Sequence, residues 1–190
     1  MLRRSPVTSW NPAGRLPQVH ETAYVDQDAV VIGEVIIEKN VIILPRAVVR
    51  ADEGNPVVVG EGGNIQDGVI IHALKGSGVS IGRRCSIAHG AVVHGPCMIG
   101  DGSFIGFRAI ILGVRLGRGC FVGHGAIVTG VEIPAGKYVP AGTVIGVEEE
   151  AQALENVPVE LMSFMEDVLA VNGELLKGYR EMAARVPFAE

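Results

Sequence analysis

The sequence predicts an all-β solenoid with one C-terminal α-helix packed along it, and three observations carry that expectation. Branched aliphatic residues return every six residues through most of the chain from Val25 to Ile145. A second column of small or β-branched residues stands two positions before them, as Ala29 before Val31 and Cys85 before Ile87. After Ile145 the period of six stops, and steps of three, four and seven take over.

Residues two apart on a strand share a face. Each hexad is therefore a short strand with one large and one small inward residue, followed by a bend. One hexad cannot bury its own apolar face, so the repeats must stack. The step widens to ten between Val49 and Val59 and between Ile71 and Ile81, where four residues are inserted each time. It narrows to five between Ile111 and Leu116 and between Val128 and Ile133. Glycine often follows the large residue (Gly60, Gly82, Gly100, Gly106, Gly117, Gly123), which suggests a turn there. The pattern resembles the hexapeptide-repeat family, a left-handed parallel β-helix with three hexads per triangular coil. The hexad count then implies roughly seven coils.

A single domain over 1–190 is expected: an extended N-terminal cap over 1–22, the β-helix over 23–147 and a helix over 158–185. The lead-in, with Trp10 and three prolines, is expected to cover the first coil, because an open solenoid end invites aggregation. The stretch 147–158, acidic and then closed by a proline, reads as a linker or turn. Beyond it Leu161, Met165, Val168, Leu175, Tyr179 and Met182 form the apolar stripe of an amphipathic helix. Continuing the rhythm from Val168 lands on Asn172, a polar residue in an apolar seam that needs a partner or faces a site.

Net charge is −5 without a basic block, which disfavours nucleic acid. No apolar run reaches membrane-spanning length, and no secretory signal is visible. Cys85, Cys97 and Cys120 all fall in the small inward column and read as buried hydrophobes. Free thiols fit a cytoplasmic location.

The histidines gain meaning from the repeat. Arg50, His72 and His94 each follow a large aliphatic residue, and these three residues are three hexads apart. They should stack on one outer edge, coils ~4.8 Å apart. Two imidazoles at that spacing can share one metal with bonds of ~2.0–2.1 Å. His89 falls on a different edge together with Gln66. A hexad side is on the order of 15–20 Å at ~3.3 Å per residue, so His89 cannot easily reach a metal held by His72 and His94 of its own chain. It can reach one held by a neighbour. A homotrimer with three sites follows, one wall giving Arg50, His72 and His94, the other Gln66 and His89. A lone histidine at a turn is ordinarily structural; two stacked on one edge with a third on the next favour a metal. Three imidazoles and an open fourth position suit catalytic zinc, and Fe(II) or Co(II) suit the same ligands. His20 and His124 are expected to be surface or turn residues.

At this point the chain resembles the γ-class carbonic anhydrases. The resemblance rests on Arg50-Ala51-Asp52-Glu53-Gly54, Asn64-Ile65-Gln66-Asp67-Gly68, Ile71-His72-Ala73-Leu74 and the stretch 89–96. It continues through 99–107 and 131–140 and covers about 23–179. It implies that His72, His89 and His94 are metal ligands, with His89 donated by the neighbour. Gln66 matches a residue that hydrogen-bonds the solvent or bicarbonate on the metal. Arg50 matches an arginine that pairs across the interface with the counterpart of Asp67. Asp52 and Glu53 match an acidic pair beside the site, Glu53 handling protons, while Asn64 and Asn172 match site amides. Two positions depart. Lys75 stands where a proton-shuttle glutamate is found, in a short loop, and Ala170 replaces a site tyrosine. The implied activity is metal-hydroxide attack on CO2, giving bicarbonate and a proton. An acyltransferase would use one histidine as general base and leave two idle. A catalytically silent scaffold or assembly subunit is the third reading.

Overall fold

A computed structural model describes residues 1–185; the expected domain's last residues, 186–190, lie outside them. The chain winds into a left-handed parallel β-helix of three sheets with eight, seven and seven strands. The register repeats every third hexad. In the first sheet Val31, Val49, Ile71, Val93, Ile111, Val128 and Ile145 lie in one parallel row. From Val31 to Ile145 the large column is buried, and the small column packs beside it. Fully burying each branched side chain contributes about 1.5–3 kcal/mol, so the stacked columns dominate the fold's stability. The three cysteines are free and buried in this core, as their column required. Among the described residues no helix is long and apolar enough to cross a membrane.

The glycines after the large residues open turns, as expected, the carbonyls of Gly60, Gly106 and Gly123 accepting from the N–H three residues on, and they have a second role. They are not where the chain takes its left-handed turn. A Cβ built on Gly117 would lie 2.4 Å from the Ala135 backbone nitrogen, and one on Gly100 2.4 Å from that of Arg118. Close approach of successive coils excludes a side chain there. The left-handed conformation falls two residues later, at positions such as Gly119 (φ 63°) and Arg84 (φ 53°).

The two ends differ. The lead-in is more ordered than an extended cap: Leu2–Arg3 pairs with Val31 and Ile32, and Gln18–Val19 pairs with Ile36 and Ile37. The stretch expected to be a linker contains a short helix, α1 (Glu148–Ala153). Its Ala151 is fully buried against the core, so α1 plugs the far end of the prism. One buried residue in so short an acidic helix leaves no periodic signal to read.

The long helix α2 (Val159–Arg185) lies along the third sheet. Met165, with Leu161 and Val168 partly buried, packs on Ala88, Phe104 and Phe121; Leu176 packs on Ile42 and Leu44. Tyr179 stacks on Tyr24 at 5.1 Å, and Arg84 donates to Glu166 at 2.6 Å. The seam therefore runs Leu161, Met165, Val168, Asn172, Leu176, Tyr179. Leu175 and Met182, expected in it, are exposed, because the helix turns its seam through Leu176 instead.

The three outer faces differ. The third is covered by α2. The second carries a mixed column that includes Gln18, Ser80, Arg115 and Glu132. The first is uncovered, yet its outward residues include Val48, Ile70, Val92, Ile110, Leu112, Ile127 and Val144, most of them exposed.

Candidate metal site

The first sheet sets the first half of the site. Parallel pairing places His72 beside Arg50 on one side and His94 on the other. The alternation of the strand buries Ile71 and Ala73 and turns His72 outward. His72 Nδ1 faces His94 Nε2 at 3.2 Å, the rings edge to face. Two ligand nitrogens on a tetrahedral ion with bonds of ~2.0–2.1 Å stand ~3.3 Å apart, so the pair fits one cation.

With a cation between the rings, both facing nitrogens must present lone pairs. That puts the His72 proton on Nε2, 3.4 Å from Asp52 Oδ1 and from Glu53 Oε1, and requires the Arg50 guanidinium, whose Nη2 stands 3.3 Å from the same nitrogen, to turn away. The His94 proton then sits on Nδ1, 3.2 Å from the Gly95 carbonyl oxygen. His89 Nδ1 lies 2.9 Å from Asp67 Oδ2, leaving its Nε2 free. Each imidazole thus has an acceptor that fixes its ring and tautomer. These acceptors, Gly95 above all, could not be assigned from sequence. Burial, and then Arg50, push the His72 pKa down, which favours the neutral imidazole a metal needs.

The two inserted loops stack on each other beside His72. The Lys75 backbone N–H donates to Glu53 Oε2, and Lys75 Nζ sits 5.1 Å from the centre of the Trp10 ring. Arg50 pairs with Asp52 at 3.2 Å within the chain. Trp10 gave no sign in sequence of lying near this edge.

His89 stands apart, on the edge between the third and first sheets, against Phe107 at 5.3 Å. Among the described residues of one chain, no three His, Cys, Asp or Glu side chains gather to hold a metal ion. In register terms His89 lies over Asp67; Gln66 precedes that position by one residue and is buried. His89 and Gln66 still line one cleft of about 530 Å3, walled by Leu44, Phe104, Phe107, Val171 and Asn172.

Asn64, Gln66 and Asn172 form the polar floor of this region. Gln66 Nε2 donates to Asn64 Oδ1 at 2.9 Å, and Asn64 Nδ2 donates to Ser86 Oγ at 2.7 Å. Asn172 Nδ2 donates to the Val168 carbonyl. Among the described residues, Gln66 Oε1 and Asn172 Oδ1 are the buried side-chain oxygens without a partner. Buried acceptors left unpaired are costly and point to a role. His124 is exposed, stacks on Phe107 at 4.2 Å and accepts from its backbone N–H, a turn residue as expected; His20 bonds locally to Thr22.

Fold and site together define a hexapeptide-repeat β-helix that carries a paired imidazole edge. Residues 78–113 match the bacterial transferase hexapeptide (six repeats) family. A carbonic anhydrase of Methanosarcina thermophila is 39% identical, over 95% of this chain and 81% of that protein. The chain belongs to the γ-class carbonic anhydrase family. The carboxysome assembly protein CcmM of a Nostoc species is 40% identical over 92% of this chain, which spans 33% of that longer protein. The crystal structure of a hexapeptide transferase family protein from Anaplasma phagocytophilum superimposes with a TM-score of 0.79 at 27% identity, covering 94% of this chain and 97% of that one.

Proposed function

We propose that this chain reversibly hydrates CO2 to bicarbonate at metal sites shared between copies of a homotrimer. The observation that carries the reading is the facing pair His72 Nδ1 and His94 Nε2, 3.2 Å apart, on the one outer face that is apolar and uncovered. A contiguous exposed apolar surface of that kind marks an association site. Burying the first face against a second copy brings one chain's His72 and His94 edge toward the next chain's His89 edge, and heterologous contacts of this sort close into rings.

His72 and His94 of one copy and His89 of the next would hold zinc, or Fe(II) or Co(II), which would supply a nucleophile at neutral pH by lowering the pKa of water to about 7. The chain's residues do the rest. Leu44, Phe104, Phe107 and Val171 form an apolar wall suited to CO2. Gln66 Oε1 and Asn172 Oδ1 accept from O–H groups, orienting the attacking water and the bicarbonate hydroxyl. Asn64 holds Gln66 in place. Asp52 and Glu53 accept from His72, and Glu53, steadied by the Lys75 N–H, takes the outgoing proton toward buffer. Arg50 reaches Asp67 of the neighbouring copy and locks the two walls together. The free cysteines fit a reducing cytoplasm.

A silent scaffold subunit is the second reading. Lys75 favours it, since an ammonium cannot replace a carboxylate as proton acceptor at neutral pH. The test is metal content and stopped-flow CO2 hydration on one anaerobically purified sample. About one metal per chain with fast hydration supports the enzyme. Metal without turnover supports the scaffold. Neither metal nor turnover removes the carbonic anhydrase reading and leaves a silent subunit or acyl transfer, whose single base needs no metal.

A further inference from the structure

We infer that in the assembled protein the loop 74–78 of one copy seats on the exposed apolar stripe of α2 of the next, an inference that rests on the shared-site reading above. Helix α2 exposes Val171 (59%), Leu175 (41%) and Met182 (62%) to solvent, and Leu74 at the tip of the loop is 53% exposed. The stripe forms a shallow apolar groove with Ala170, Gly178 and Tyr179. Among the described residues nothing covers it, and a seam that buries Leu176 has no internal use for Leu175.

Position selects the occupant. Val171, Leu175 and Tyr179 line both this groove and the cleft that holds His89. If His72 of one copy and His89 of the next share one cation, their nitrogens are ~3.3 Å apart. Leu74 follows His72 by two residues, ~7 Å along the chain. It therefore comes within reach of whatever flanks His89 on the partner, and that is α2. The height agrees as well: Leu74 leaves the coil that carries Gln66 and Asp67, and α2 passes that coil at Val171 and Asn172.

Chemistry matches position. Leu74 is apolar against an apolar groove. Lys75 brings a positive charge to a cleft lined by Asp167, while Glu174 of the groove is already paired with Lys177 at 2.6 Å. The groove is thus an extension of the first-face interface, and the occupant is a second copy of this chain. Lys75 then serves assembly.

The test uses the full chain with Leu74→Cys and Leu175→Cys together, treated with a short bis-maleimide. The native cysteines are buried and serve as a silent background. The expected result is covalent dimer and trimer on denaturing gels from the double variant, and none from either single variant. A protein that sediments as an oligomer but gives no interchain product overturns the inference while leaving the shared site standing. As a second measurement, Leu175→Asp should raise the dissociation constant of the oligomer at least tenfold, and adding Leu74→Lys should recover part of it. An oligomer indifferent to both also overturns the inference. A wild-type chain that sediments as a monomer removes the shared-site reading and this inference together.

Discussion

His89 Nδ1 lies 2.9 Å from Asp67 Oδ2, so the carboxylate fixes the ring and leaves Nε2 to act as a ligand. An imidazole oriented by a carboxylate is a stronger and better-aimed metal ligand. Asp67→Asn keeps the shape and removes the charge. The expected effect is a roughly 10–100-fold loss of metal affinity, read by chelator competition. Unchanged affinity would remove Asp67 from the site.

The two unpartnered oxygens separate function from stability. Asn172→Ala removes a buried acceptor that the folded chain leaves unsatisfied, so the thermal midpoint should hold or rise. CO2 hydration should nonetheless fall by about tenfold or more. A large drop in stability with intact kcat/KM would mean that Asn172 is structural.

Coil spacing predicts unequal costs for two neighbouring glycines. Gly117→Ala places a methyl 2.4 Å from the Ala135 nitrogen, and should cost about 3 kcal/mol or more by overpacking. Gly119→Ala meets nothing within 4 Å and pays only for its φ of 63°, about 1–2 kcal/mol. Denaturant unfolding of the two variants compares them; equal losses would contradict the close-approach explanation.

Burial, and then the hydrogen bond to Asp26, push the Tyr24 phenol up to about 12. Its folded pKa lies above the ordinary value of 10.0, so the folded state holds this proton more tightly than the unfolded chain. The stabilisation is complete below pH 10 and disappears as pH rises through about 12. Because Tyr24 stacks on Tyr179, the end of α2 should undock over that same window. Ultraviolet titration should show a late tyrosinate phase that Tyr24→Phe abolishes.

Much of this was legible in the sequence, because the hexad imposes phase. Counting from Val49 to Ile71 to Val93 placed Arg50, His72 and His94 in one row, and parallel pairing forces that result whatever loops intervene. The lost details were those without a period. Helix α1 is short, with one buried alanine. The seam of α2 passes through Leu176 instead of Leu175, a choice between adjacent leucines that only packing against Ile42 and Leu44 decides. The glycines after the large residues do open turns, but the close approach of the next coil, which also excludes a side chain there, has no trace in one sequence. Trp10 reaches the site edge through a tertiary contact with Lys75, far from it in the chain.

The most direct test of the shared site mixes His89→Ala with His94→Ala after verified subunit exchange and measures tightly bound metal. Each variant alone should hold none. If sites span chains, random assortment around a heterologous ring leaves about one site in four with all three imidazoles. Metal recovered at about a quarter of the wild-type content is the predicted result. No recovery in the mixture, with each variant folded and exchanging, would mean that the three histidines do not meet across two copies.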